Sequence, residues 1–393
     1  MFKTTTRIGS FWAVVGLLFT AHSAQGEDNK ILPVVTLMRV PNHGIQPQVA
    51  VDRQGTVHMI YFHGEPANGD VFYVRMDKGK ETFSPALQVN STPGSAIAIG
   101  NIRGPQMAMG KNGRVHVAWN GSDKAIKGPR REVPLLYSRL NDAGTAFEPE
   151  RNVIHAAYGL DGGGSVAADD AGNVYVAWHA PKPDAKGEEN RCVWVAHSSD
   201  EGKSFAPERQ AFSEPTGACG CCGMKAFADS NGGIYFLYRS ARERVHRDMY
   251  LLTSDNQGNR FQGEKLHDWE AGTCPMSMES FCQSGDQVLA AWETADQVYF
   301  ARVDQRSGQR SAPLSPPGDP NRRKFPVMAD NARGQTILVW TEGMGWQKGG
   351  AVAWQVFDDK GKPIGDIGRA NGVPTWSLVA AFARPDGSFV VVY

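Results

Sequence analysis

Sulfur is the sharpest chemical signal in this chain. Of its six cysteines, four fall in two short runs, Cys219-Gly-Cys221-Cys222-Gly-Met224 and Cys274-Pro-Met276. Thiolates and thioethers are soft donors, suited to copper or zinc, and His179, His246 and His267 could complete such a site. The spacing matches no zinc ribbon, because a second Cys-x-x-Cys pair is missing. In an oxidising compartment the same residues are expected to pair instead, Cys219 or Cys222 with Cys274. A redox-active thiol pair is the third reading. A second set of groups could handle a polar ligand. Arg39, Arg103 and Arg239 offer bidentate pairing to a carboxylate. Asp161, in Leu160-Asp161-Gly-Gly-Gly164, is an acid/base candidate, since glycine lets a ligand approach the backbone. Glu293 joins these as a catalytic candidate, and His63, Glu65, Asn120, His179, Arg322, Glu342 and Trp376 as ligand-binding candidates.

These residues are far apart in the chain, so something periodic must gather them. A short phrase recurs: a strand of small or apolar residues, a turn with Asp, Asn or Gly, then an alternating strand closing on an aromatic. The copies begin at Gln48, Gln106, Ser165, Met224, Glu279, Pro326 and Leu378, and close on Tyr61, Trp119, Trp178, Tyr238, Trp292, Trp340 and Tyr393. A repeat of roughly 50 residues made of strands is the signature of a β-propeller. In the first blade the expected strands are Pro47–Asp52, Thr56–Tyr61, Asp70–Met76 and Ser84–Val89. Small residues such as Ala50, Ala108, Ala167, Ala226 and Ala329 suit the crowded axis, and the closing aromatics fill the widening wedge between blades. The expectation is an all-β chain: one propeller of four-stranded antiparallel blades, seven favoured over six. The β-branched stretch 31–40 is placed to close the ring. In a propeller the loops leading into each inner strand and those after each second strand reach one face. Apart from His246 and His267, the candidates above are expected on such loops, which makes the central funnel the expected binding site.

The first 24 residues read as a secretory signal peptide, with Lys3 and Arg7 before an apolar stretch and small residues at Ala21-His-Ser-Ala24. The propeller would then span 25–393, exported to the periplasm or the exterior, without a membrane span and monomeric. Basic and acidic residues balance at 41 each, which gives no reason to expect nucleic acid as a partner.

A further turn signature sits between third and fourth strands. Ser198-Ser-Asp200-Glu-Gly202-Lys-Ser-Phe205 is complete; Asp142-Ala-Gly144-Thr-Ala-Phe147 and Asp359-Lys-Gly361 keep its second half. Ser254 to Phe261 puts Asn256 in the Asp position. The carboxylate can accept backbone N–H groups, the glycine takes a positive φ, and the aromatic plugs the turn into its blade. This resembles the Asp-box of sialidases and related BNR-repeat proteins, where the motif is structural. The resemblance implies a sialidase-like propeller that binds a glycan or glycoconjugate in its funnel; an exo-α-sialidase or related glycoside hydrolase is the alternative, and a soft-metal or thiol site the third. Catalytic sialidases use three arginines, a Tyr nucleophile backed by Glu, and an Asp acid/base. Met38-Arg39-Val40-Pro41 is a loose counterpart of the family's N-terminal arginine motif. Phe62-His63-Gly64-Glu65-Pro66 lacks the arginine expected there, and no Tyr–Glu pair can be picked out.

Overall fold

The computed structural model describes Met1 and residues 32–126, 132–320 and 322–393. The expected signal peptide lies, beyond Met1, outside the described residues. Residues Pro33–Tyr393 make one compact unit. It is a seven-bladed β-propeller, with one sheet per blade. Blade 1 comprises Ile45–Val51, Val57–His63, Asp70–Met76 and Leu87–Gln88. The other inner strands are Gln106–Met109, Ser165–Ala168, Met224–Ala228, Ser280–Ser284, Arg323–Asp330 and Ala380–Ala383.

Five blades carry four strands, and two carry three. In blade 5 the outer strand is reduced to isolated bridges, Phe300 to Leu314 and Val303 to Arg310. Blade 7 is completed by the N-terminal strand Val35–Met38, which closes the ring as expected. It runs parallel to Phe389–Val392, in register from Val35 opposite Phe389 to Met38 opposite Val392. Among the described residues no helix is long and apolar enough to cross a membrane.

The second strands explain the fold's stability. Val57 to Phe62 are all buried, on both faces of the strand, because each blade is packed between two others. A separate apolar cluster fills each of the seven gaps between blades. The closing aromatics sit in them: Trp119, Trp178, Trp292 and Trp340 are at most 1 % exposed. Burial of each such ring contributes a few kcal/mol, about 25 cal/mol per Å².

Turns on the face opposite the lead-in loops share one device. Asp52 Oδ1 accepts the N–H groups of Gln54 and Thr56 at 2.9 and 2.8 Å. Asp229 and Asn331 repeat the pattern in blades 4 and 6. In the Ser198–Phe205 turn, Asp200 Oδ1 accepts from Ser198 Oγ and Ser204 N at 2.7 and 2.9 Å, and Ser198 Oγ accepts from Gly202 N. Gly202 has φ 78°. A Cβ there would lie 1.8 Å from Tyr137 Oη of the preceding blade. Phe205 packs edge-on against the same tyrosine, 4.9 Å between centroids. The Ser254–Phe261 turn repeats this with Asn256 as acceptor.

The Asp142 turn is different and corrects the expectation. Its acceptor is Asn141, whose Oδ1 takes Thr145 N at 3.0 Å, while Asp142 points outward to Arg114. In this turn Gly144 sits three residues after the acceptor rather than two, so the residue before Asp142 holds the bracketing position. Asp358 takes the role expected of Asp359 for the same reason. Phe147 still plugs its turn, against Tyr73 at 5.6 Å.

Candidate functional site

The lead-in loops meet across the axis, and glycine is what lets them. Gly100, at φ 67°, lies in the loop before blade 2. A Cβ on it would stand 3.2 Å from Met276 Cε of the blade 5 loop, 3.2 Å from Trp346 Cζ3 of blade 6, and 3.5 Å from Arg103 Nη1. Arg103 in turn donates to Asp161, from Nη2 to Oδ1 at 2.7 Å and from Nε to the carbonyl at 2.9 Å. Trp346 meets Trp376 of the blade 7 loop edge-on, with centroids 5.9 Å apart. Trp346 is 57 % exposed, and the Asp161 side chain half exposed. The centre of this face therefore presents two indoles, a thioether and one guanidinium–carboxylate pair.

Asn120 and His179 belong to the supporting layer below. Asn120 bonds Gly162 O and Gly164 N, and so fixes the glycine loop that carries Asp161. A Cβ on Gly162 would strike Cys222 O at 2.0 Å, and one on Gly163 would strike Ile102 O at 2.0 Å. His179 Nε2 donates to Cys222 O at 2.9 Å, and its Nδ1 accepts from Arg191 Nε at 3.2 Å. Both imidazole nitrogens are thereby engaged. Burial brings its pKa down to about 3, so it is neutral.

Arg239 and Glu293 are buried rather than presented. Arg239 donates to Ser277 Oγ, Arg247 O and Glu293 O, and lies 4.8 Å from the Trp269 ring centre. Glu293 accepts Lys324 Nζ at 3.0 Å and Phe325 N at 3.3 Å. Burial raises its pKa, against the pull of Lys324 and Arg239. Arg39 donates to Gly372 O at 2.6 Å and stacks on Tyr393. Arg39, Arg103 and Arg239 thus have separate protein acceptors. Glu342 accepts from Trp340 Nε1 and Arg369 Nε. Arg322 is exposed; its neighbour Arg323 is the buried one, bonded to Gln297 Oε1, Pro316 O and Pro317 O. His63 and Glu65 are exposed on the blade 1 turn, where His63 meets Phe72 edge-on.

The sulfurs converge as neighbouring lead-in loops should. The disulfide is Cys221–Cys274, which corrects the expected pairing of Cys219 or Cys222 with Cys274. Cys219 and Cys222 remain thiols and are buried. The reason is local: of the three cysteines, Cys221 is the half-buried one, turned toward the exposed Cys274. The Cys219 Sγ lies 2.7 Å from Cys222 Sγ and 3.4 Å from Cys221 Sγ. These three sulfurs form a group compact enough to hold a metal ion. With Cys221 in a disulfide, two thiol donors remain. Met224 sits in the core between blades 3 and 4, and Met276 at the indole cluster. His246 pairs with Glu243 and Glu270, and His267 accepts from Trp292 Nε1. Burial alone would raise the Cys222 thiol; the Cys219 hydrogen bond, Arg239 and Ser277 outweigh it and bring its pKa down to about 7. The hydrogen bond to Cys222, with burial behind it, pushes Cys219 well up.

A cavity of about 650 Å³ occupies the central channel, lined by the inner strands and by turn residues of the opposite face such as Gly55, Asn331 and Pro385. None of the candidate residues lines it. Lys225 does, a residue that strand periodicity marks only as an inner-strand position. Its Nζ donates to Gln48 Oε1 and Gln106 Oε1 at 2.9 and 2.8 Å. Burial lowers its pKa to about 8. Trp346 was also illegible in the sequence, since it stands in no motif.

No family model matches the chain, and no curated protein matches it. Solved structures do: its structural neighbours are sialidases and related propeller enzymes. A Penicillium chrysogenum α-L-arabinanase, solved with arabinobiose, matches with TM-score 0.52 and 14 % identity, over 84 % of this chain and 98 % of that one. The Hadza microbial sialidase Hz136 matches with TM-score 0.49 and 11 % identity, over 81 % and 69 %. A leech intramolecular trans-sialidase matches with TM-score 0.49 and 9 % identity, over 91 % and 87 %. At such identities the likeness is one of fold.

Proposed function

We propose that this protein is an exported propeller that binds a glycan at the centre of its lead-in face. The observation that carries the reading is the exposed Trp346, set against Trp376 beside the Arg103–Asp161 pair. A sugar ring has an apolar face and a rim of hydroxyls. An exposed indole offers a flat apolar surface to the first, and a half-exposed carboxylate with its guanidinium offers an acceptor and donors to the second. The Asp-box-like turns support the same reading through family resemblance, and the Cys221–Cys274 disulfide supports an oxidising, extracytoplasmic location. A three-guanidinium carboxylate clamp is not part of it, because Arg39, Arg103 and Arg239 are each satisfied by different protein groups.

Glycan-array screening of the mature protein, followed by calorimetry on the best ligand, tests this. Specific binding that is weakened about tenfold in Trp346→Ala and also reduced in Asp161→Asn is the expected result. An array without specific signal, or binding indifferent to both substitutions, would remove the proposal.

A further inference from the structure

Glycan recognition leaves the sulfur cluster without a role. Cys219 and Cys222 are three residues apart, buried, and 2.7 Å apart at Sγ. Cys219 Sγ also lies 3.4 Å from Cys221 Sγ, one half of the disulfide to Cys274. A dithiol in contact with a disulfide is the arrangement that thiol–disulfide exchange requires. Exposure is graded along the four sulfurs. Cys274 is exposed and Cys221 half-buried, whereas Cys219 and Cys222 are at most 1 % exposed. A reagent in solution meets the disulfide and not the pair behind it.

We propose that Cys219, Cys222, Cys221 and Cys274 form a thiol–disulfide relay that couples the buried pair to the exterior. In the first step Cys222, as thiolate, takes the proton of Cys219 across their 2.7 Å contact while Cys219 Sγ attacks Cys221 Sγ; the Cys219–Cys221 bond forms, the Cys221–Cys274 bond breaks, and Cys274 leaves as thiolate. In the second the Cys222 thiolate attacks Cys219 Sγ; the Cys219–Cys222 bond forms and Cys221 leaves as thiolate. The two protons given up by Cys219 and Cys222 end on Cys221 and Cys274, so one disulfide and two thiols stand on each side. An external low-molecular-mass disulfide then reoxidises Cys221 and Cys274 and departs as two thiols. The net result is two-electron oxidation of a pair that the reagent never reaches.

Peptide mapping of the mature protein equilibrated in graded glutathione buffers, acid-quenched and alkylated, tests the relay. Trypsin places Cys219, Cys221 and Cys222 together on residues 210–225 and Cys274 on another peptide. On mild reduction the two peptides are expected to separate while 210–225 keeps one internal disulfide. In Cys222→Ser, part of the protein should hold Cys219–Cys221 with Cys274 alkylated. The relay is overturned if wild-type Cys219 and Cys222 alkylate as free thiols at every ratio. It is equally overturned if Cys274 stays linked to 210–225 throughout in Cys222→Ser, or if the purified protein carries stoichiometric copper or zinc on the thiols.

Discussion

Trp346 is the side chain on which recognition should turn, because it is exposed by more than half while every closing tryptophan is sealed in the core. Truncating it removes contact area without leaving a cavity. Trp346→Ala is therefore expected to weaken glycan affinity about tenfold, roughly 1.4 kcal/mol, with the melting temperature unchanged. Calorimetry beside thermal unfolding checks both halves. Lys225 should be the most reactive lysine among the described residues. With its pKa brought down to about 8 by burial, about a quarter is free base at pH 7.5, against about a thousandth for an ordinary lysine. Limited acylation at that pH, read by mass spectrometry, should mark Lys225 first; preferential labelling elsewhere would refute it. The buried imidazoles set an acid response. Burial holds His116 and His179 at about 3, so below pH 6.5 the unfolded chain takes protons that the fold refuses. At pH 5 that costs about 2 kcal/mol for each. Burial raises Glu279 and Glu293, which push stability the other way on acidification. The clean measurement is thus a difference: His116→Gln should lose about 2 kcal/mol of the pH 7-to-5 change in urea unfolding.

At the scale of single elements, the turns and the glycine loop do distinct work. Asn141 brackets its turn from inside, and its replacement by Ala is expected to cost about 1 kcal/mol, a typical figure for a lost hydrogen bond. Asp142→Ala should leave the unfolding midpoint unmoved, since its carboxylate is largely exposed. That contrast, measured by denaturant unfolding, would reverse if the sequence motif rather than the geometry assigned the role. Gly163 lies where the backbones of neighbouring loops nearly touch. A Cβ there meets a carbonyl oxygen that cannot rotate away, so Gly163→Ala is expected to destabilise by about 1–3 kcal/mol and to disturb the Arg103–Asp161 pair.

At the scale of the molecule, closure rests on one short parallel strand. Val35–Met38 covers Phe389–Val392, whose four residues are wholly buried. Deleting 33–38 would bare that edge, and the expected outcome is a broad, non-cooperative melt with concentration-dependent association, visible by calorimetry and light scattering. The blade count was legible because strand alternation, turn residues and wedge-filling aromatics are local and repeat with every blade; the loop placement was not uniformly so, since His63, Asn120, His179, Met224, Arg239, Glu293 and Glu342 lie within strands. The turns at Asp200 and Asn256, whose partners lie within a few residues, were legible too. The exchange of Asn141 for Asp142 was not, since both precede the same glycine and only the path of the backbone decides which side chain faces the N–H groups of the turn. By itself the sequence determined the ring, because each blade's pattern must bury two faces and only neighbours of the same kind can cover them. Which groups face a ligand and which lock the scaffold was decided by the tertiary structure alone. Arg239 and Glu293 turn inward, Trp346 turns out, and Cys221 rather than Cys219 or Cys222 reaches Cys274. Those outcomes depend on contacts between loops about 50 residues apart, set by the angle at which blades pack, and no local pattern encodes that angle.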